Sequence, residues 1–280
     1  MKRSNAILLA LAAGGAAAFA HYAMNEKMLL RTYTIVSEKI KAPVKIIQIS
    51  DLHSSKYGKN CVELIKAVKD VSPDVIVMTG DILDNRAPNG ECFRFLRKIA
   101  SLYPCYYVSG NHEVYTHLAD EIKAELISYG IRVLDGETDS LKIGEQNIVI
   151  GGVSDPIDLP DKHGRLWEDQ LADCGRTLDG SKFSVLLTHR PELISYYEET
   201  PFDLVLCGHA HGGQAIIPKL VNGIYAPHQG FFPKYAGGEY VMANGGKMIV
   251  SRGLSKYVRP RIFNRPELVL VTLMPSGEDR

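Results

Sequence analysis

Five short apolar, β-branched runs in this chain each stop abruptly at Asp, Asn or His. Ile49-Ser50 runs into Asp51-Leu52-His53, Met78-Thr79-Gly80 into Asp81, Val108-Ser109-Gly110 into Asn111-His112-Glu113, Leu187-Thr188 into His189, and Leu206-Cys207-Gly208 into His209-Ala210-His211-Gly212-Gly213. Apolar runs of roughly four to eight residues, bounded in this way and rich in β-branched side chains, read as buried strands. Helical patterns separate the first three. Cys61 to Asp70 places Val62, Ile65 and Val68 on one face and is ended by Pro73, and Glu91 to Ala100 repeats the pattern. Strands at Lys45–Ser50, Asp74–Gly80 and Cys105–Gly110 are therefore spaced as a βαβαβ unit, parallel if the crossovers are right-handed. A helix is expected from Thr116 to Tyr129, closed by Gly130. Arg132–Leu134, Ser140–Ile143 and Asn147–Val153 then read as shorter strands, some in hairpins, which makes a second sheet plausible. Ser184–Thr188 and Leu204–Cys207 return to the buried-strand pattern, and Asp155 to Lys182 reads as a loop plus a helix. The expectation is one α/β domain from Val44 onward.

Composition removes several function classes. With 280 residues, 45% hydrophobic and 23% charged, the chain carries a large core, which excludes disorder. Lys+Arg and Asp+Glu both number 32, and a net charge of zero argues against extended nucleic-acid binding. Cys61, Cys92, Cys105, Cys174 and Cys207 are odd in number and unpaired in spacing, so free buried thiols are expected rather than a disulfide framework or a thiolate zinc site.

At the amino end, Lys2 and Arg3 precede an uncharged stretch from Ala6 to Ala20 that closes on Ala18-Phe19-Ala20. Residues 1–24 read as a signal peptide or a membrane-anchor helix, and both remain open because a span needs roughly 20 apolar residues. Basic residues lie on both sides, at Lys2, Arg3, Lys27 and Arg31, so the side of the membrane is left open. The division read from the sequence is 1–24 as anchor or signal, 25–43 as linker, 44–275 as catalytic domain and 276–280 as tail.

Polar residues at the carboxyl ends of strands in an open α/β sheet converge on one crevice. Asp51, His53, Asp81, Asn111, His189, His209 and His211 form an oxygen and nitrogen set suited to hard or borderline divalent cations. Seven ligands exceed one ion. Two ions about 4 Å apart, sharing one carboxylate, absorb them all, with Asp81 as the bridge. His21, His117, His163 and His228 lie outside these blocks and are read as ordinary histidines, Glu113 as a helix-start acid, and Asp84 and Asn85 as either supporting residues or loop. Arg190 is balanced between substrate phosphate and surface. Arg252, Arg259, Arg261 and Arg265 are read as a solvated face, and the aromatics of 216–240 as core ahead of an apolar flap.

Taken together, Asp51-x-His53, Gly80-Asp81, Gly110-Asn111-His112-Glu113, Thr188-His189 and Gly208-His209-Ala210-His211-Gly212-Gly213-Gln214 resemble the ordered signature blocks of the calcineurin-like metallophosphoesterases. The tail Val250-Ser251-Arg252-Gly253-Leu254 with Pro266-Glu267-Leu268 is similar to the bacterial, membrane-associated branch, which includes UDP-2,3-diacylglucosamine pyrophosphohydrolases. The resemblance implies a two-sheet mixed β-sandwich flanked by helices, in four layers, and a dinuclear centre. Asp51, His53, Asp81 and His211 would hold one ion, and Asp81, Asn111, His189 and His209 the other. His112 would be the catalytic histidine outside the ligand set. The ions expected are Mn²⁺ first, with Fe or Zn²⁺ as alternatives. The implied activity is hydrolysis of a phosphodiester or pyrophosphate bond, with a lipid-linked substrate as the specific case, at a bacterial cell membrane or after export. A phosphomonoesterase, a nuclease and a non-catalytic scaffold on the same fold are the competing readings. No protein partner is expected.

Overall fold

The computed structural model of the chain describes residues 2–157, 164–256 and 261–277. In chain order, α1 (Lys2–Ala23) leads to β1 (Leu29–Ser37), β2 (Val44–Ile49), α2 (Val62–Val71), β3 (Val75–Thr79), α3 (Gly90–Ala100), β4 (Cys105–Val108), α4 (Asn111–Tyr115), α5 (Ala119–Ser128) and β5 (Arg132–Val133). The hairpin of β6 (Glu137–Ile143) and β7 (Gln146–Gly152) follows, then α6 (Trp167–Arg176), β8 (Phe183–Leu187), α7 (Ile194–Tyr197) and β9 (Leu204–Cys207). The chain continues through β10 (Tyr225–Ala226), β11 (Gly230–Phe231), β12 (Gly238–Val241), β13 (Lys247–Val250) and β14 (Glu267–Pro275).

Two six-stranded sheets result, ordered β1-β14-β2-β3-β4-β5 and β12-β13-β9-β8-β7-β6. The strands from β2 to β5 run parallel, as do β7, β8, β9 and β13, while β6 and β12 close the second sheet as antiparallel edges. Parallel strands covered on both faces need near-continuous apolar sequence, which is what the buried runs of β2, β3, β4, β8 and β9 supply. Successive side chains point to opposite faces. Ile46, Val75, Val77, Tyr106 and Val108 thus meet Ile148, Ile150, Val185, Leu187 and Leu206 between the sheets. Ile47, Ile49, Ile76 and Met78 turn outward under Leu64, Val68, Phe95 and Leu96 of α2 and α3. On the far side, Leu186, Val205 and Val250 pack under Trp167, Leu171 and Tyr197. The architecture is mixed α/β, with helices flanking both sheets. Each fully buried aliphatic side chain contributes roughly 1.5–3 kcal/mol.

Several expectations need correction. The stretch 25–43 is not a linker throughout: Leu29–Ser37 forms β1, which pairs in parallel with β14 at the sheet edge. Only Ile35 of this strand is fully buried, so its alternation is that of a half-exposed edge strand and carries little hydrophobic signal. The helix expected over 116–129 is found as α5, starting three residues later; the short α4 precedes it, and His117 takes a left-handed backbone at φ 57° between the two. The aromatics of 216–240 split. Tyr235 and Tyr240 pack on the core, but Leu220, Phe231 and Phe232 are 82%, 73% and 68% exposed and are not core. Arg261 is buried, donating to the Ser255 and Arg252 carbonyls, so the arginine cluster is not a uniformly solvated face; Arg259 lies outside the described residues. His163 and residues 278–280 of the expected tail also lie outside them. The five cysteines are free and buried. Helix α1 occupies the position read as signal or anchor, and among the described residues no helix is long and apolar enough to cross a membrane.

Candidate metal centre

The carboxyl ends of β2, β3, β4, β8 and β9 meet at one end of the sandwich, and buried hydrogen bonds join the two sheets there. Gln48 Nε2 donates to Thr79 Oγ1 and to the Cys207 carbonyl, both at 2.9 Å. His189 Nδ1, from the end of β8, donates to the Thr79 carbonyl at 2.7 Å, which leaves its Nε2 free of a proton in the neutral ring. The turns after the strands are sharp. Asp51, His53, Asp81, His209 and His211 all lie in the left-handed region, at φ between 46° and 65°. That conformation costs roughly 1–2 kcal/mol for a residue with a Cβ, and the surrounding core holds it in place.

Six of the seven residues singled out in the sequence as ligands come together here, and the seventh, Asn111, opens α4 next to His112, whose backbone N–H binds Asp81. Asp51, His53, Asp81 and His211 offer ligand atoms within 4.8 Å of one another, and so do Asp81, His189 and His209. Asp81 belongs to both groups. Its Oδ2 lies 3.5 Å from His53 Nε2 and 3.2 Å from His189 Nε2, while its Oδ1 accepts the backbone N–H of His112 at 2.8 Å. Asp51 Oδ1 lies 3.5 Å from His211 Nε2, and Asp51 also accepts from Ser50 Oγ at 2.6 Å and from the His209 N–H at 2.9 Å. His209 Nδ1 faces His189 Nε2 at 3.1 Å. Asn111 opens α4 with its Oδ1 buried and without a hydrogen-bond partner among the described residues, and Nε2 of His53 shares that condition. Buried polar atoms are normally paired. Inward-facing lone pairs from carboxylate, amide and imidazole are the donor set that two divalent cations require, so these residues fit such ions.

Two glycines make the approach. At Gly110 a Cβ would overlap the Asp81 side chain and lie 2.5 Å from its backbone N, and Gly80, at φ 83°, would press a Cβ to 2.5 Å from His189 Nδ1. Neither position tolerates a larger residue without moving a ligand.

The charges follow from this packing. Burial pushes the Asp51 carboxyl up from its usual range. At Asp81 burial acts in the same direction, but His189 and His53 together outweigh it and hold the group well below the usual carboxylate range. Burial works against a charged His189, yet Asp81, Asp51 and Asp155 raise it to about 10. His189 would have to give up that proton to hold a cation beside Asp81, as metal uptake by imidazole requires. Burial pushes His209 and His211 well below the ordinary histidine value, which keeps them neutral and able to ligate.

His112 lies outside the two groups that share Asp81, but with His53 and Asp84 it forms a third group of side chains able to offer ligand atoms within 4.8 Å of one another. Its ring meets His53 edge-on at 4.4 Å, and its Nδ1 lies 3.0 Å from Asn85 Oδ1, which accepts the proton and leaves Nε2 as the nitrogen available to a substrate. Asp84 Oδ2 sits 3.3 Å from His53 Nδ1. The Asp84-Asn85 pair thus supports two histidines of the site.

Other supporting residues differ from expectation or were missed. Glu113 is the helix-start acid expected, in the first turn of α4, and beyond that it is a buried clasp. Its carboxylate accepts the backbone N–H groups of Gly110, Asp81, Ile82 and Leu83 at 2.7–2.9 Å, tying the end of β3 to the end of β4. Glu113→Ala leaves those donors without their acceptor, at roughly 1–3 kcal/mol for each that water does not reach. We expect a loss of at least about 3 kcal/mol in stability, measured by urea unfolding; a change below about 1 kcal/mol would contradict the clasp. Arg190 is neither at the surface nor free for substrate: Nε and one terminal nitrogen bind both oxygens of buried Asp155 at 2.8 and 2.9 Å. Asp155 follows β7 as Val153-Ser154-Asp155, a sixth strand ending in a polar residue that the same rule could have found. Asn264 Nδ2 donates to the His211 carbonyl at 2.7 Å, and His228, set aside in the sequence, stacks on His209 at 5.3 Å; neither carries a sequence signal.

Residues 44–213 match the calcineurin-like phosphoesterase family, and the chain belongs to it. Its class is that of hydrolases acting on phosphate esters. Among relatives, an uncharacterized metallophosphoesterase of Aquifex aeolicus is 32% identical over 91% of this chain and 96% of its own length. The phosphodiesterase YaeI of Escherichia coli is 28% identical over 83% of both chains. The UDP-2,3-diacylglucosamine pyrophosphatase LpxG of Chlamydia muridarum is 24% identical over 81% of this chain and 83% of its own. The chain spans only 60% of the length of a Campylobacter jejuni metallophosphoesterase that is 32% identical to it. In fold, it is similar to the crystal structure of TT1561 of Thermus thermophilus, at a TM-score of 0.50 and 16% identity, over 76% of this chain and 91% of the other.

Proposed function

We propose that this chain hydrolyses phosphodiester or pyrophosphate bonds with two divalent cations, Mn²⁺ first among them, held on either side of Asp81. The observation that carries the reading is the pair of ligand groups sharing the Asp81 carboxylate, with His112 alongside and outside both. When bound, the two cations would neutralise charge on a phosphoryl oxygen and lower the pKa of water to about 7. The chain's own contribution is geometric and protic. Asp81 sets the spacing between the two positions, and Asn111 and His189 hold the second. His112, once Nε2 has taken up a proton while Nδ1–H stays on Asn85, would pass that proton to the departing oxygen and return to the neutral ring; burial lowers its pKa, so this charged form is favoured toward acid pH.

The LpxG relative and the exposed Leu220, Phe231 and Phe232 favour a substrate with an acyl-bearing group. These side chains lie on a segment whose Ile224 N–H donates to the carbonyl of Gly213, next to the His211 turn, so an apolar substituent could rest on them while its phosphate lies at the centre. A panel tests this reading: the chain loaded with Mn²⁺ is offered an alkyl diester, a monoester, a nucleotide sugar and an acylated nucleotide sugar. The reading expects the highest kcat/KM on the last of these, reduced by Phe231→Ser with Phe232→Ser. Equal rates on monoesters, or no effect of the double variant, would defeat it. Attachment to a bacterial membrane through the amino-terminal segment belongs to the same proposal; it fails if the full chain and a chain without residues 1–24 fractionate alike.

A further inference from the structure

His209 is constrained on most of its perimeter by groups already described. Its Nδ1 meets His189 Nε2, its face stacks on His228, and its backbone N–H is held by Asp51. The remaining ring nitrogen, Nε2, is buried, has no hydrogen-bond partner among the described residues, and lies 4.0 Å from Glu192 Oε1. Glu192 belongs to the short turn Pro191–Leu193, just after His189 and Arg190. Both of its carboxylate oxygens are buried and also lack a hydrogen-bond partner among the described residues. The nearest cation is Arg190, at 3.7 Å through one terminal nitrogen, and that guanidinium is already committed to Asp155 by its other two.

Two buried polar groups that face each other without closing a hydrogen bond are costly to keep. The arrangement has a use once Nδ1 is given to a cation. The ring proton then resides on Nε2, and a carboxylate facing it fixes the tautomer, orients the ring and makes the ligating nitrogen more basic. We infer that Glu192 is a positioning residue which, through His209 Nε2, sets the affinity of the Asp81–Asn111–His189–His209 position for its cation. The inference rests on the two-cation reading of the site. It is selective, because among the described residues no ion pair or hydrogen bond joins Glu192 to Asp51, His53 or His211. The opposite position should not respond.

The test is stepwise calorimetric titration of the chelator-stripped full chain with Mn²⁺, repeated for Glu192→Ala and Glu192→Gln. The melting temperature of each ion-free chain monitors the fold. Glu192→Ala should weaken one of the two binding steps by roughly 10- to 100-fold and leave the other unchanged. Glu192→Gln, which keeps an acceptor oxygen, should recover part of the loss. Unchanged steps in both variants would overturn the inference. So would equal weakening of both steps with a lower ion-free melting temperature, which would assign Glu192 to the fold. A wild-type chain that takes up fewer than two ions would overturn the two-cation reading and this inference with it.

Discussion

Asp81→Asn empties both cation positions, and turnover falls by at least about 10³-fold, the equivalent of several kcal/mol of lost charge stabilisation. The size of the effect comes from sharing. Asp81 Oδ2 lies within 3.5 Å of both His53 and His189, one from each ligand group, and its Oδ1 anchors the start of α4. A carboxamide fits the same space but presents one neutral oxygen, so it cannot serve two cations. It also removes the anion that keeps His189 charged in the ion-free state, so the loss of metal should not unfold the chain. Metal content after gel filtration, with circular dichroism as the fold control, checks both parts. A folded variant that keeps two ions per chain and full activity would contradict the bridging role.

His112→Ala separates chemistry from binding. The ring touches His53 by its edge and lies outside both groups that share Asp81, although with His53 and Asp84 it forms a third cluster of possible ligand atoms. Both ions should therefore remain, while kcat falls by about 10²- to 10⁴-fold, the usual contribution of a positioned proton donor. An ion lost in this variant would assign His112 to binding. The loss should depend on the leaving group. A nitrophenolate departs without help and an alkoxide does not, so the variant should suffer far more on an alkyl diester than on a nitrophenyl diester. Equal losses on the two substrates would remove His112 from proton transfer and leave it a purely electrostatic role.

Much of this site was legible in the sequence because its residues sit where strands end. Buried parallel strands leave a strong apolar signal, and the break in that signal marks the one end of each strand where polar side chains can reach a common crevice. Asp51, Asp81, Asn111, His189 and His209 each follow such a break directly. The supporting residues were harder to find because their roles depend on contacts distant in sequence. Glu113 looks like any acid in a first helical turn until the end of β3, about 30 residues earlier, is seen to place three N–H groups on it. Arg190 and Asp155 are 35 residues apart and become a pair only when β7 and β8 lie side by side. The edge strand β1 was read as linker for a similar reason: its hydrogen-bonding partner, β14, lies at the opposite end of the chain, and its own exposed face carries Thr32 and Thr34 where a buried strand would carry aliphatics.

The central claim is that two cations share the Asp81 carboxylate. Anomalous diffraction from crystals of the Mn²⁺-loaded chain tests it most directly. The account predicts two peaks per chain about 4 Å apart, one against Asp51, His53 and His211 and the other against Asn111, His189 and His209, with Asp81 between them. A single peak, or two peaks that do not both contact Asp81, would contradict it.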